Sequence, residues 1–335
     1  MSLLDSLLRK FRLVRRLERR VGELEGDKVA LLRDVEVLKG DVAEQEKANA
    51  RLQAEAAERE FVFPPGHFYS PQTSRAEVAE VFATGSFGPP FLGVDLNATG
   101  QVARLHQLAN FYDEQPFPEQ PTAGRRYYLD NPSYGYFDGF ALYLMLRQTG
   151  ARRVIEVGSG FSSAAMLDMN EFVFSGRLQL TFIDPDMSRL RKLLKTEDQA
   201  RVTLIEQKVQ AVPTSVFAEL EAGDVLFIDS SHVSKLGSDV NRLFFDVLPV
   251  LKPGVWVHIH DVTGNLDYPR DWFEQGRAWN EQYLLRAFLM YNREWNVELF
   301  TGWIYNEHRT FFQERMPLCA KGGGGQIWLR RAVVC

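Results

Sequence analysis

From residue 150 onward the chain alternates short β-rich runs with helix-length stretches, and that alternation restricts the fold more than any other feature. The runs are Arg153–Val157, Leu178–Asp184, Val202–Glu206, Val225–Asp229 and Val255–His260, each bounded by turn residues or a charge. Each interval can hold one helix. Strand, helix and strand in repetition build a parallel sheet covered by helices on both faces, so the expected fold class is α/β. Ligands of such sheets bind beyond the carboxyl ends of the strands, near the point where the strand order reverses. Polar residues cluster at those ends here.

After the first run comes Glu156-Val-Gly-Ser-Gly-Phe-Ser-Ser163. Gly158 and Gly160 permit a tight turn with close backbone approach to a ligand, and the helix beyond begins with unpaired N–H groups. Alone, the pair also describes an ordinary strand–helix turn. A dinucleotide fingerprint asks for a third glycine or alanine at 163, where Ser163 stands, and has no need of an acid at Glu156. The second run ends Thr181-Phe-Ile-Asp-Pro185, which places Asp184 where a carboxylate can take both hydroxyls of a ribose. The fourth ends Phe227-Ile-Asp-Ser-Ser-His232.

Glu156-Val-Gly-Ser-Gly-Phe-Ser162, with Asp184 and Asp229 following in order, resembles the class I S-adenosylmethionine-dependent methyltransferases over roughly residues 125–332. Asp229-Ser-Ser-His-Val233 and His258-Ile-His-Asp-Val262 are similar to strings of a bacterial subgroup linked to O-methylation of sugars, polysaccharides and natural products. The resemblance implies a Rossmann-like, mostly parallel sheet. Its last strand, Gln326–Arg330 after the Gly322–Gly325 run, would be antiparallel and part of a hairpin. The resemblance also implies S-adenosylmethionine as cofactor. Gly158, Ser159, Gly160 and Ser162 would cradle its methionine part, and Glu156 would orient this loop or bind the cofactor amine. Asp184 would take the ribose hydroxyls, Val209 and Gln210 would border the adenine, and Asp229 and Ser230 would complete the site.

His258 and His260 stand two apart in a strand, so both face one side of the sheet. His260 and Asp261 end the fifth run as Asp229 and His232 end the fourth, so two acids and two imidazoles can converge beside the cofactor. O-methylation needs a base for the hydroxyl proton, and an imidazole with a pKa near 6.5 suits that task. The sulfonium supplies the leaving group, which leaves the protein alignment and deprotonation. His260 is the expected base and His232 the alternative. A divalent metal such as Mg or Ca is the competing role. The metal-dependent relatives place an acid after the fourth strand and an adjacent acidic or amide pair after the fifth. Asp229 and Asp261 match that pattern, Val262 departs from it, and His260 or His232 would complete a mixed N/O set. His258 is expected to be a buried structural histidine.

Two loops upstream, Gly66–Pro71 and Asn131–Tyr136, combine aromatic and polar residues with proline and glycine. They suit a lid carrying His67, Tyr69 and Tyr134, or they simply pack. The stretch after the fifth run offers Arg270, Trp272 and Tyr283 to stack on and hydrogen-bond a sugar.

The N-terminal sixty residues are of another kind. Proline is absent before Pro64. Heptad position a falls on Leu7, Val14, Val21, Lys28, Val35, Val42 and Asn49, and position d on Lys10, Leu17, Leu24, Leu31, Leu38, Gln45 and Leu52. That seam predicts a coiled-coil helix, with Val at a and Leu at d favouring a parallel dimer. Arg20–Glu25 and Asp34–Lys39 would attract across the dimer, while Asp41–Glu46 would repel. A lone amphipathic helix on the rest of the chain is the alternative. Residues 1–20 hold seven Lys/Arg against Asp5 and Glu18, so a third reading lays this end, with Leu3, Leu4, Leu7, Leu8 and Phe11, on an anionic membrane surface. The expected domains are 1–60 for the coil, 61–124 for an aromatic, proline-rich lead-in and lid, and 125–335 for the Rossmann-like methyltransferase domain.

Composition bounds the function. A net charge of −5 over 335 residues disfavours general nucleic-acid binding. Cys319 and Cys335 are too few for a disulfide framework, and no run approaches the ~18 apolar residues of a membrane span. Arg9, Lys10, Arg12, Arg15 and Arg16 interrupt any signal-peptide core. The expectation is a cytoplasmic, self-associating O-methyltransferase that acts on a small-molecule or glycan hydroxyl, with peripheral membrane contact through residues 1–20 open as a further reading and not part of the expectation. The alternatives are an NAD(P)-dependent oxidoreductase and an inactive coiled-coil scaffold.

Overall fold

The computed structural model describes residues 3–60, 62–85 and 91–333, which divide into two compact units, Met1–Ser74 and Arg75–Cys335. The first unit is built on helix α1, Leu3–Glu60, about 87 Å long at 1.5 Å per residue. Its seam side chains stand open, with Leu17 56%, Leu24 52%, Leu31 63% and Leu38 61% exposed. Among the described residues, Gly22, Gly26 and Gly40 have nothing within 4 Å of the position a Cβ would take. Arg20 pairs with Glu23 at 2.9 Å and Lys39 with Glu36 at 2.8 Å along the helix. Exposed pairs of this kind add only about 0.2–0.5 kcal/mol each. The side chains of Leu3, Leu4, Leu7, Leu8 and Phe11 lie outside the described residues. Pro64 and Pro65 end the helix, and around them the rings of Phe63, His67, Phe68 and Tyr69 cluster at 4.3–5.7 Å between centroids.

In the second unit seven strands among the described residues form one sheet in the order β3-β2-β1-β4-β5-β7-β6. They are β1 Arg153–Val157, β2 Gln179–Ile183, β3 Val202–Ile205, β4 Val225–Ile228, β5 Trp256–His260, β6 Trp295–Phe300 and β7 Gln326–Arg331. The first five run parallel, and β7 is antiparallel to both β5 and β6. This is the α/β, mostly parallel arrangement expected. Two differences stand out. The strand β6, Trp-Asn-Val-Glu-Leu-Phe, was not anticipated. The β6–β7 pair is not a tight hairpin either, because residues 301–325 between them carry two helices.

The helices of this unit are α2 Arg75–Thr84, α3 Ala98–Ala109, α4 Tyr136–Thr149, α5 Phe161–Phe172, α6 Ser188–Leu193, α7 Thr214–Ala218, α8 Asp239–Arg242, α9 Arg270–Glu274, α10 Glu281–Leu289, α11 Thr301–Glu307 and α12 Arg309–Arg315. None of the described helices is long and apolar enough to cross a membrane. The sheet is buried on both faces, so its strands read as nearly continuous apolar runs. Phe182, Phe227 and Trp328 turn to the face covered by α4 and α5 through Phe140, Leu144 and Ala164. Ile155, Ile228, Val257 and Ile259 turn to the other face, against Val240, Val247 and Leu285. Truncating a fully buried ring such as Phe227 to alanine costs about 3–5 kcal/mol.

The expected boundary at 124/125 does not coincide with the division of the chain, because residues 75–124 share the unit of the sheet. The segment covers the outer strand β6. Gln101, wholly buried, accepts from Phe300 N at 2.6 Å, and Asn97 and Arg104 donate to the carbonyls of Val297 and Glu298 at 3.0 Å. A strand edge that would otherwise present free N–H and C=O groups is thereby satisfied.

Candidate active site

Strand order reverses between β1 and β4, and the carboxyl ends of these strands meet there. Gly158 N donates to Ile183 O at 2.9 Å, and Asp229 N donates to Val157 O at 2.8 Å. Gly158 has φ +84°, and a Cβ on it would lie 1.8 Å from the carbonyl oxygen of Asp229. Only glycine lets the loop rest on the end of β4. Gly160, by contrast, is extended with φ 177°.

Glu156 explains the loop. Wholly buried, it accepts from Ser162 Oγ at 2.5 Å and from Ser163 Oγ, and Ser163 Oγ in turn accepts from Gly160 N at 3.0 Å. Both carboxyl oxygens are thus engaged with the start of α5, and Ser163 closes the turn that a dinucleotide motif would leave to glycine. Burial raises Glu156 to about 8 against the two hydroxyl bonds. Asp184 accepts from Ser159 N at 2.8 Å and from Asp186 N at 2.8 Å. A carboxylate has about four lone-pair directions, so Asp184 keeps acceptor capacity for ribose hydroxyls while fixing the loop. Val209 is buried in the turn after β3, and exposed Gln210 donates to Gly237 O at 2.9 Å. The loop, the buried acid and the free acceptor capacity fit a nucleoside-bearing cofactor.

Beside this loop the acids and imidazoles do converge. His232 Nε2 lies 3.4 Å from Asp229 Oδ1 and 3.3 Å from Asp261 Oδ2. Its Nδ1 lies 2.8 Å from Glu281 Oε2, and Ser230 Oγ donates to the other oxygen of Glu281 at 3.0 Å. His260 Nδ1 is 3.5 Å from Asp229 Oδ1 and 3.9 Å from Asp261 Oδ1, while its Nε2 is 3.6 Å from Asp138 Oδ2. Among the described residues His260 Nδ1 is buried with no hydrogen-bond partner. Asp229, His260 and Asp261 each offer one ligand atom, all within 4.8 Å of one another, so they could hold a metal ion. His232 and Asp261 both have positive φ, 60° and 54°, a sparsely populated region for residues other than glycine. Such backbone is found where a site demands it.

The electrostatics follow from this crowding. Burial opposes the charge on Asp229, but His260 and His232 outweigh it and hold the carboxyl well below its usual range. Burial likewise disfavours the His232 cation, yet Asp229 and Glu281 raise its pKa to about 10. His260 is raised well above its ordinary value by Asp229, Asp261 and Asp138 against the same penalty. Asp261 moves up, because burial exceeds what the imidazoles return. His258 is different. Fully buried, it stacks on Phe227 at 3.8 Å, lies 3.4 Å from Tyr134 Oη, and is lowered to about 3 by burial and the charge of His260. It is the structural histidine expected, with Tyr134 as its partner.

Tyr134 itself is corrected. It is 2% exposed with its ring 4.8 Å from that of His260, and it supports the cluster from within rather than forming a lid. His67 and Tyr69 belong to the first unit, in its ring cluster. Arg270 is exposed and paired with Glu274 at 2.7 Å. Trp272 lies 5.0 Å from Trp279, and Trp279 lies 4.3 Å from His232. Tyr283 donates to Asp267 Oδ1 at 2.7 Å. Sequence reasoning missed Asp138, Glu281 and Trp279. Asp138 and Glu281 sit on helices with no local signature, whereas an exposed-looking tryptophan two residues from Arg277 was a readable cue.

The sheet order and a glycine loop beside an acid–imidazole cluster define a class I methyltransferase. A family model described as a methyltransferase domain matches residues 155–262, which span the glycine loop through Val262. An uncharacterized protein of Archaeoglobus fulgidus is 32% identical over 179 residues, covering 51% of this chain and 80% of that protein. The chain belongs to this methyltransferase family. Among solved structures, a putative O-methyltransferase from Klebsiella pneumoniae is 17% identical over 77% of this chain and 97% of its own, with a TM-score of 0.38. The O-methyltransferase TomG from Streptomyces achromogenes, solved with SAM, is 16% identical over 76% of this chain and 96% of its own, with a TM-score of 0.39. The class rests on the domain match and the strand order, not on these distant likenesses.

Proposed function

We propose that the chain uses S-adenosylmethionine to methylate a hydroxyl of a sugar, glycan or glycosylated metabolite, with His232 as the general base. The observation that carries this is the position of His232. Its Nδ1 is held by buried Glu281, its Nε2 faces the Asp229–Asp261 pair, and its ring lies 4.3 Å from half-buried Trp279. His260, the first choice from sequence, is boxed in by Asp138, Asp229, Asp261 and Tyr134, and so is better suited to position the two acids.

Gly158, Ser159, Gly160, Ser162 and Asp184 would hold the donor, which when bound supplies a methyl group on a sulfonium that leaves as a neutral thioether. The acceptor oxygen forms its bond to the methyl carbon as the carbon–sulfur bond breaks, and His232 Nε2 takes the hydroxyl proton. The products are a methyl ether and S-adenosylhomocysteine. His232 must be neutral to act, so kcat/KM should rise with pH. The test is a pH–rate profile of wild type and His232→Asn with S-adenosylmethionine affinity measured alongside. Loss of at least about 100-fold in kcat with retained donor affinity supports the base role, within the range typical of general bases. Unchanged kcat sinks it.

The unpartnered Nδ1 of His260 favours a second reading, a divalent cation held by Asp229, Asp261 and His260. It would polarise the acceptor oxygen while His232 remains the base. A mixed carboxylate and imidazole set suits Mn or Zn better than the Mg or Ca that oxygen ligands alone would favour. Thermal-shift titration of chelator-treated protein with each cation tests it, and a response that survives Asp261→Asn counts against it. For α1, the reading is a parallel two-stranded coil with a second copy, supported by its open Val and Leu seam.

A further inference from the structure

We infer that Arg277 anchors an anionic group, a carboxylate or a phosphate, carried by the acceptor. This rests on the reading of the site as one that methylates a hydroxyl. The guanidinium of Arg277 occupies the corner between two indoles, 4.8 Å from Trp272 and 4.8 Å from Trp279, whose planes meet at 75°. Among the described residues its side chain makes no hydrogen bond or ion pair to an acid, whereas neighbouring Arg270 is already neutralised by Glu274. A cation–π contact with the indoles leaves a guanidinium's N–H donors available for hydrogen bonds. Those donors match a carboxylate or phosphate in bidentate geometry.

Position ties this corner to the chemistry. Trp279 touches the ring of His232 at 4.3 Å and Arg277 at 4.8 Å, which puts the guanidinium within about 9 Å of the base. The reacting end holds Asp138, Asp229, Asp261 and Glu281 around the two imidazoles. Carboxylates there repel an anion, so an acidic acceptor enters with its hydroxyl inward and its charge outward. Arg277 is half-buried against Trp279 and, among the described residues, pairs with none of these four carboxylates. The acceptor class is therefore an acidic sugar or sugar-like alcohol.

The test uses the full chain with S-adenosylhomocysteine added and Trp272 and Trp279 as fluorescent reporters. Inorganic phosphate, acetate, D-glucuronate, glucose 6-phosphate and glucose are titrated against wild type, Arg277→Ala and Arg277→Lys, each first shown to keep the wild-type melting temperature. The expected result is a saturable response to the anionic probes that weakens about tenfold or more in Arg277→Ala, partly returns in Arg277→Lys, and is absent or unaltered for glucose. The phosphate and carboxylate arms decide which anion is preferred. No saturable anion response in wild type, or one unchanged in Arg277→Ala, overturns the proposal. Failure to bind S-adenosylhomocysteine would instead remove the methyltransfer reading, and the anion titration is still readable without it.

Discussion

His232 Nδ1 lies 2.8 Å from Glu281 Oε2, with the two side chains only 7% and 2% exposed. A buried carboxylate bonded to one imidazole nitrogen fixes the ring's orientation and leaves the other nitrogen aimed at the site. Because Asp229 and Glu281 raise His232 to about 10, it is largely protonated at neutral pH before acceptor and donor arrive. Glu281→Gln should therefore move the rising limb of kcat/KM to lower pH, by about one unit or more given the loss of an adjacent charge. The same pair stabilises the fold fully below the ordinary imidazole value of about 6.5 and loses that contribution as pH rises through about 10. Melting curves of Glu281→Gln should fall below wild type at pH 6 and converge with it above pH 10. An unmoved rate profile would remove His232 from the proton-transfer role.

Glu156 gives a dependence of the same sign in a lower pH window. Its carboxyl is raised to about 8, above an ordinary value near 4.5, so its burial carries no ionisation penalty at low pH and costs stability progressively as pH climbs from 4.5 through 8. Glu156→Gln should match wild type near pH 5 and melt higher than wild type at pH 9. Glu156→Ala leaves the hydroxyls of Ser162 and Ser163 buried without their acceptor, which costs about 1–3 kcal/mol for each group. Equal melting temperatures for the glutamine variant at both pH values would contradict this.

Asp184 holds Ser159 N and Asp186 N with its two oxygens and retains acceptor capacity. Asp184→Ala should weaken S-adenosylmethionine binding by about tenfold or more, the loss expected for one or two hydrogen bonds to a charged group. Isothermal titration calorimetry reads it directly. Undiminished affinity would move the ribose site elsewhere.

The coil makes a separate prediction. Leu24 and Leu31 are 52% and 63% exposed on the isolated helix. Replacing both with lysine puts charges into a seam that needs apolar d positions. Sedimentation equilibrium should show the molecular mass falling to that of a monomer, while methyl transfer is retained because the sheet and site lie in the second unit. A monomeric wild type would refute the pairing.

Much of the fold could be read in the chain because parallel strands buried on both faces are local apolar runs. β1 to β5 and the glycine loop are all found where those runs lie. The strand β6 escaped notice because it alternates apolar and polar residues weakly and is satisfied at its edge by Gln101 and Asn97, nearly two hundred residues away. Tyr134 looked like a lid residue since it sits among Pro, Ser and Gly, yet the loop leading into α4 buries it against His258.

What the sequence by itself determined is local: the helix of α1, the five strands, the turn at Gly158 and the acids and imidazoles at the ends of β4 and β5. Periodicity, proline, glycine and apolar runs act over a few residues, and their consequences can be read from a few residues. Only the tertiary structure decided which groups became partners. It brought Asp138 from α4 to His260 and Glu281 from α10 to His232, and it set Trp279 between His232 and Arg277. A side chain's protonation depends on the charges within a few ångströms and on its removal from water, and those neighbours come from elements far apart in the chain.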